Sequence, residues 1–192
     1  MKYNFCIMCV LALLMAGCSD SHLKEDIAQL QSAPIAIDIK DCIAKFKGSD
    51  STFSYPGRKS LIVYVDSLSC STCFMSRLID YYEINDSLQA LGAELIVILN
   101  PKPYQKNEIE HRIKYERYPF WCVLDTTFSF QKNNPHIPDN PMLHSFLIDE
   151  YGKVLVVGDP TRNSKIQEMV FDIIKESGTD PVKHRKLSRI LE

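Results

Sequence analysis

Leu61-Ile-Val-Tyr-Val65 is an apolar, β-branched run of the length of a buried strand. It is followed by the loop Asp66-Ser-Leu-Ser69 and then by Cys70-Ser-Thr-Cys73 at the head of a helical pattern. A strand feeding directly into a helix restricts the architecture, because the chain must cross over before it pairs again in parallel. The helical pattern runs from Ser71 to about Leu91, with Phe74, Leu78, Ile79, Tyr82 and Leu88 as its apolar positions. Gly92 stops it, and Glu94–Leu99 is a second buried strand. Pro101-Lys-Pro breaks the chain, Gln105–Glu116 is a charged helix, and Phe120–Leu124 is a third strand. After a proline-rich loop, Ser145–Asp149 and Lys153–Val157 flank Gly152 as a hairpin, and a last helix covers Asn163–Glu176, capped by Asn163 or Ser164. Ile35–Ile39 alternates as a short, half-buried strand, while Asp41–Gly57 is mixed and rich in turn residues. The order β, α, β, α, β, hairpin, α predicts an α/β fold, with a mixed central sheet between helices.

The amino terminus is a targeting segment. Lys2 precedes an unbroken apolar run from Phe5 to Ala16, shorter than the roughly 20 residues a spanning helix needs. Leu14-Met-Ala-Gly-Cys18 resembles the lipobox of bacterial lipoproteins, which implies a signal peptide over 1–17 and lipidation of Cys18. Lipid chains on that cysteine anchor a protein stably without a spanning helix. Residues 18–33 then read as a lipid-linked tether, and 34–192 as one domain with an N-terminal extension and a basic C-terminal tail. Ser19 after the lipidated cysteine implies an envelope lipoprotein, sorted to the outer membrane and facing the periplasm.

A formal net charge of −2 gives no basic surface for nucleic acid. Seven cysteines are present, but Cys6 and Cys9 leave with the signal. Of those in the exported part, Cys122 lies in an apolar strand, where a free thiol behaves as a small hydrophobe. A disulfide from it to Cys42 has no spacing argument. Cys70 and Cys73 are different. At a helix start, unpaired N–H groups and the helix dipole stabilise a thiolate. That chemistry makes Cys70 an exposed nucleophile and Cys73, one turn later, a partly buried resolving thiol.

The strand, the dithiol and the later segment Phe146-Leu-Ile-Asp-Glu-Tyr-Gly-Lys-Val154 together resemble the thioredoxin superfamily, in particular its exported, membrane-tethered members. The resemblance covers about Ser54 to Ile174. It implies a three-layer α/β/α sandwich and a thiol-disulfide oxidoreductase that exchanges electrons with an exported dithiol or disulfide partner and needs no prosthetic group. It also implies that the loop before the hairpin brings His144 toward Cys70, where an imidazole tunes the thiolate or moves protons. Some positions depart from the family: Ser69 precedes the first cysteine where Trp is frequent, and Ser-Thr lies between the cysteines. The place of the family's cis-proline holds Leu143, with Pro141 two residues earlier.

Two other readings use the same residues. In one, the chain is a non-catalytic lipoprotein that binds a protein, peptide or metal. Cys70, Cys73 and His144 then imitate the ligand set of Sco-type copper chaperones, with the cysteines one residue too close. In the other, a peroxiredoxin, a Pro-x-x-x-Thr-x-x-Cys arrangement is needed around Cys70, and none is there. Oligomeric state leaves no mark on the sequence.

Overall fold

The computed structural model describes residues 18–39 and 42–178. The expected signal peptide, 1–17, and the tail after Gly178 lie outside these described residues. Seven strands form one mixed sheet, and across it lie, in order, Ser49–Ser51 (β2), Ile43–Phe46 (β1), Trp121–Leu124 (β5), Glu94–Leu99 (β4), Ser60–Val65 (β3), Ser145–Ile148 (β6) and Val154–Val157 (β7). The interior strand β3 (Ser60–Val65) is parallel to β4 (Glu94–Leu99), which is in turn parallel to β5 (Trp121–Leu124). On the other side β6 (Ser145–Ile148) pairs antiparallel with β3, and β7 (Val154–Val157) closes the hairpin. The expected α/β architecture with helices on both faces is the one observed.

Alternation along β3 builds two cores, because successive side chains of a strand point to opposite faces. Leu61, Val63 and Val65 join Met75, Leu78, Tyr81 and Leu88 on one face, while Ile62 and Tyr64 join Leu30, Ile35, Phe130 and Phe146 on the other. β3 is buried throughout, and β4 nearly so. Continuous apolar runs suit such doubly covered strands.

Four expectations need correction. The helix from Ser71 to Leu91 is broken into α2 (Ser71–Met75), a 3₁₀ turn over Leu78–Tyr81, and α3 (Tyr82–Ala90). Met75, Leu78, Tyr81 and Ile84 are all buried at intervals of three, and a 3₁₀ turn keeps such positions aligned where an α-helix rotates them away. Ile79, expected on the apolar face, is 66% exposed as a result.

Ile35–Ile39 is extended, with Ile35, Ile37 and Ile39 buried, but it forms no ladder. Its Ile35 N–H donates to the Gly152 carbonyl at 2.8 Å, and the next residue is held by a side chain. Asn134 Oδ1 accepts from the Ala36 N–H at 2.7 Å and its Nδ2 donates to the Ala36 carbonyl at 2.9 Å. Glycine is required opposite it: Gly152 has φ +85°, and a Cβ there would lie 2.4 Å from the Ile35 carbonyl oxygen.

The mixed region contains an unexpected hairpin, β1 (Ile43–Phe46) and β2 (Ser49–Ser51), with β1 antiparallel to β5. Its two-residue turn, Lys47-Gly48, has positive φ at both positions, the geometry that suits the twist of a tight hairpin.

Finally, the segment read as a tether is helical from Cys18 to Leu30 (α1). Leu23, Ile27 and Leu30, spaced for one helix face, pack on the second core, and Leu30 is fully buried. The remaining helices are α4 (Lys106–Glu116), α5 (Ser129–Asn133) and α6 (Ser164–Gly178). Asn163 caps α6, its Oδ1 accepting from the N–H groups of Lys165 and Ile166.

Candidate active site

Strand β3 delivers the dithiol. After Val65 the chain leaves the sheet, and Asp66 Oδ1 accepts the Ser69 N–H at 2.7 Å, closing the intervening loop. Cys70 is the N-cap of α2, with extended backbone angles, and its Sγ accepts from the Cys73 N–H at 3.3 Å. Thr72 Oγ1 lies 3.5 Å from the same sulfur. Cys70 and Cys73 are joined as a disulfide with their Cα atoms 5.2 Å apart, inside the usual span for such a bond.

Both cysteines are exposed. That corrects the expectation of a partly buried Cys73. With only five residues, α2 anchors itself through Ser71 and Met75, which are buried, so the intervening turn carrying Cys73 faces outward. A helix this short also has a small macrodipole. Support for a thiolate therefore comes mainly from the individual N–H group on Sγ and from nearby charge.

One such charge gave no signal in the sequence. Arg112, on α4, donates to the Thr72 carbonyl at 3.4 Å and to Ser76 Oγ at 3.3 Å. Nothing in the local pattern around Arg112 announces this, because its partners lie 40 and 36 residues earlier. Arg77, just beyond the dithiol helix, covers the Phe74 ring at 5.6 Å and pairs with Asp159 at 3.4 Å, tying the dithiol segment to the loop after β7.

His144 is buried at the end of the loop that precedes β6. Its Nε2 lies 2.8 Å from the Pro138 carbonyl and its Nδ1 3.7 Å from Asp66 Oδ2. The imidazole thus meets the dithiol loop through Asp66, whose other oxygen holds Ser69. Pro141 opens a 3₁₀ turn over Pro141–Leu143, capped by Asn140, whose Oδ1 accepts from the Met142 N–H. Leu143 is buried in the second core, and the described residues contain no cis peptide bond. Asn140 also donates to Asp26 at 3.3 Å, linking α1 to this loop.

Among the described residues no three His, Cys, Asp or Glu side chains are grouped to hold a metal ion. The Cys70, Cys73 and His144 ligand set is therefore not assembled: the sulfurs are bonded to each other, and the imidazole Nε2 is bonded to the Pro138 carbonyl. Cys122 is a buried free thiol, and Cys42 Sγ donates to the Ile39 carbonyl at 3.5 Å. Burial pushes the Cys122 thiol well above its ordinary range, as expected of an inert core cysteine.

No protein-family model matches the chain, and no curated protein matches it by sequence. Solved structures do match. A thioredoxin-like protein in its oxidised form superposes with a TM-score of 0.51 at 13% identity, over 74% of this chain and 95% of that one. AhpC from Enterococcus faecalis gives 0.50 at 15% identity, over 73% and 92%. The fold is thioredoxin-like. StoA from Bacillus subtilis is a weaker likeness, 0.44 at 22% identity, over 63% and 88%. At these identities the likeness speaks for the thioredoxin-like fold, and the chemistry rests on this chain's own residues.

Proposed function

We propose that this chain is a thiol-disulfide oxidoreductase acting on exported proteins and tethered to the cell envelope by lipid on Cys18. The observation that carries the proposal is the solvent-exposed Cys70–Cys73 pair, bonded across the first turn of a helix that follows β3. Such a pair contributes no core packing, and exposure on both sulfurs gives a partner protein access.

In the reducing direction, the Cys70 thiolate attacks one sulfur of a partner disulfide, and the departing partner sulfur leaves as a thiolate. Cys73, as thiolate, then attacks Cys70 Sγ in the mixed disulfide and releases the second partner sulfur. The partner gains two electrons, and Cys70–Cys73 becomes the oxidised pair. A second dithiol protein restores the reduced form by the same exchange, so no prosthetic group takes part. His144 acts on the dithiol indirectly, through Asp66 and the Ser69 amide. No helix among the described residues is long and apolar enough to cross a membrane, so lipid on Cys18 is the anchor in this reading. Ser19 after the lipidated cysteine supports an outer-membrane location, and exchange with exported proteins goes with a periplasmic face.

The test is a trapping experiment with Cys73→Ser. That variant should accumulate mixed disulfides with envelope proteins that dissolve on reduction, and Cys70→Ser should not. Equal trapping by both variants, or by neither, would leave a binding module for a protein or peptide as the better account.

A further inference from the structure

Behind the Cys70 loop, three buried polar groups share one small cavity. His144, Asp66 and Tyr64 are 4%, 6% and 4% exposed, and with Gln131, Pro138 and Asp139 they line a space with about 10 Å³ of room for a water molecule's centre. A cavity of that size with several polar groups in its wall holds about one water.

The hydrogen-bonding roles there follow from chemistry. The Pro138 carbonyl only accepts, so His144 Nε2, 2.8 Å away, carries the hydrogen. In the neutral ring Nδ1 is then a bare acceptor, facing a second acceptor, Asp66 Oδ2, at 3.7 Å. Nδ1 makes no hydrogen bond among the described residues, and neither does the Tyr64 hydroxyl. Burial, reinforced by the carboxylates of Asp66, Asp125 and Asp139, pushes the Tyr64 phenol up, so its hydroxyl remains a donor. Two acceptors and one donor therefore converge on one space, and a water, with two donors and an accepting lone pair, complements them.

We propose that Tyr64, Asp66 and His144 bind one buried water, which accepts from the Tyr64 hydroxyl and donates to His144 Nδ1 and Asp66 Oδ2, and that this node positions the loop presenting Cys70. Through Asp66 Oδ1 it continues to the Ser69 N–H, so it ties the end of β3, the 138–144 loop and the entry to the dithiol into one network. The alternative pairing, an imidazolium donating directly to Asp66, leaves the Tyr64 hydroxyl buried without a partner, which is unfavourable. The three residues are positioning residues, and their effect on exchange rests on the oxidoreductase reading above.

Two measurements on the full chain in detergent test the site. A crystal structure should show one water within hydrogen-bonding reach of all three groups, and ¹⁵N NMR should show His144 as the neutral ring protonated on Nε2. A dry site with Nδ1–H bonded to Asp66 would overturn it. Neither readout needs redox activity or a variant that folds. For the positioning role, Tyr64→Phe should move the thiol-disulfide equilibrium with glutathione by about threefold to tenfold. An unchanged equilibrium in a folded variant would contradict that role. No exchange with glutathione in the parent chain would instead remove the oxidoreductase reading and leave the water site standing.

Discussion

Arg112 donates through Nη1 to the Thr72 carbonyl at 3.4 Å, which places a guanidinium beside the helix that carries both cysteines. A five-residue helix leaves most of its carbonyls unpaired, and Arg112 satisfies one of them. A positive charge near a thiol favours its thiolate form.

Arg112→Met should therefore raise the Cys70 pKa and slow alkylation of the reduced protein by about two- to fivefold at neutral pH, the scale of one partly screened charge. The pH profile of iodoacetamide alkylation measures this. An unshifted profile would mean that Arg112 only braces the helix.

Legibility in the sequence follows the range of the interactions. β3, β4 and the β6–β7 hairpin are readable because each is an apolar run whose burial its own composition specifies. The dithiol is equally local. The broken helix is harder, since spacing of three and spacing of 3.6 are hard to tell apart over two turns. Ile35–Ile39 shows its buried face but hides its partner, Asn134, 98 residues away. β2 is Ser-Asp-Ser, wholly exposed, and carries no apolar pattern to read. The place of Arg112 beside the dithiol helix is least legible of all, because it arises only when distant segments meet.

Asp125 is a point of pH sensitivity in the scaffold. Burial opposes ionisation of its carboxyl, but the N–H groups of Phe130 and Ser129 and the hydroxyls of Ser129 and Thr127 outweigh that and hold its pKa below the usual range. A depressed folded-state pKa adds stability that is present above the ordinary carboxylate value, about 3.9, and is lost as pH falls through the folded one. Asp125→Ala should cost about 2–3 kcal/mol at neutral pH, with the gap to the parent narrowing at acid pH. Urea unfolding across pH reads both, and a gap independent of pH would contradict the assignment.

Asn134 replaces a missing strand partner. Asn134→Ala strips both the N–H and the carbonyl of Ala36 of their bonds and also removes a bond to the Phe130 carbonyl. The expected loss is about 2–3 kcal/mol in urea unfolding. Asn133→Ala, which removes one exposed bond to the Asp38 carbonyl, should stay within about 0.5 kcal/mol. Similar losses in both would show that the extended segment does not depend on the buried amide.

The anchoring reading predicts that labelled fatty acid is incorporated into the chain and that Cys18→Ser abolishes the label. Mass spectrometry of the isolated protein should find a lipid-modified Cys18 at its amino terminus. An unmodified cysteine there would remove the lipoprotein assignment and leave the thioredoxin-like domain untouched.

The most direct test of the central claim is the reduction potential of the Cys70–Cys73 pair, measured by equilibrating the full chain with graded thiol buffers and trapping free thiols. The account predicts one reversible two-electron transition, with a value near about −270 mV marking a reductant and one near about −120 mV an oxidant. A pair that forms no disulfide in any buffer would contradict it.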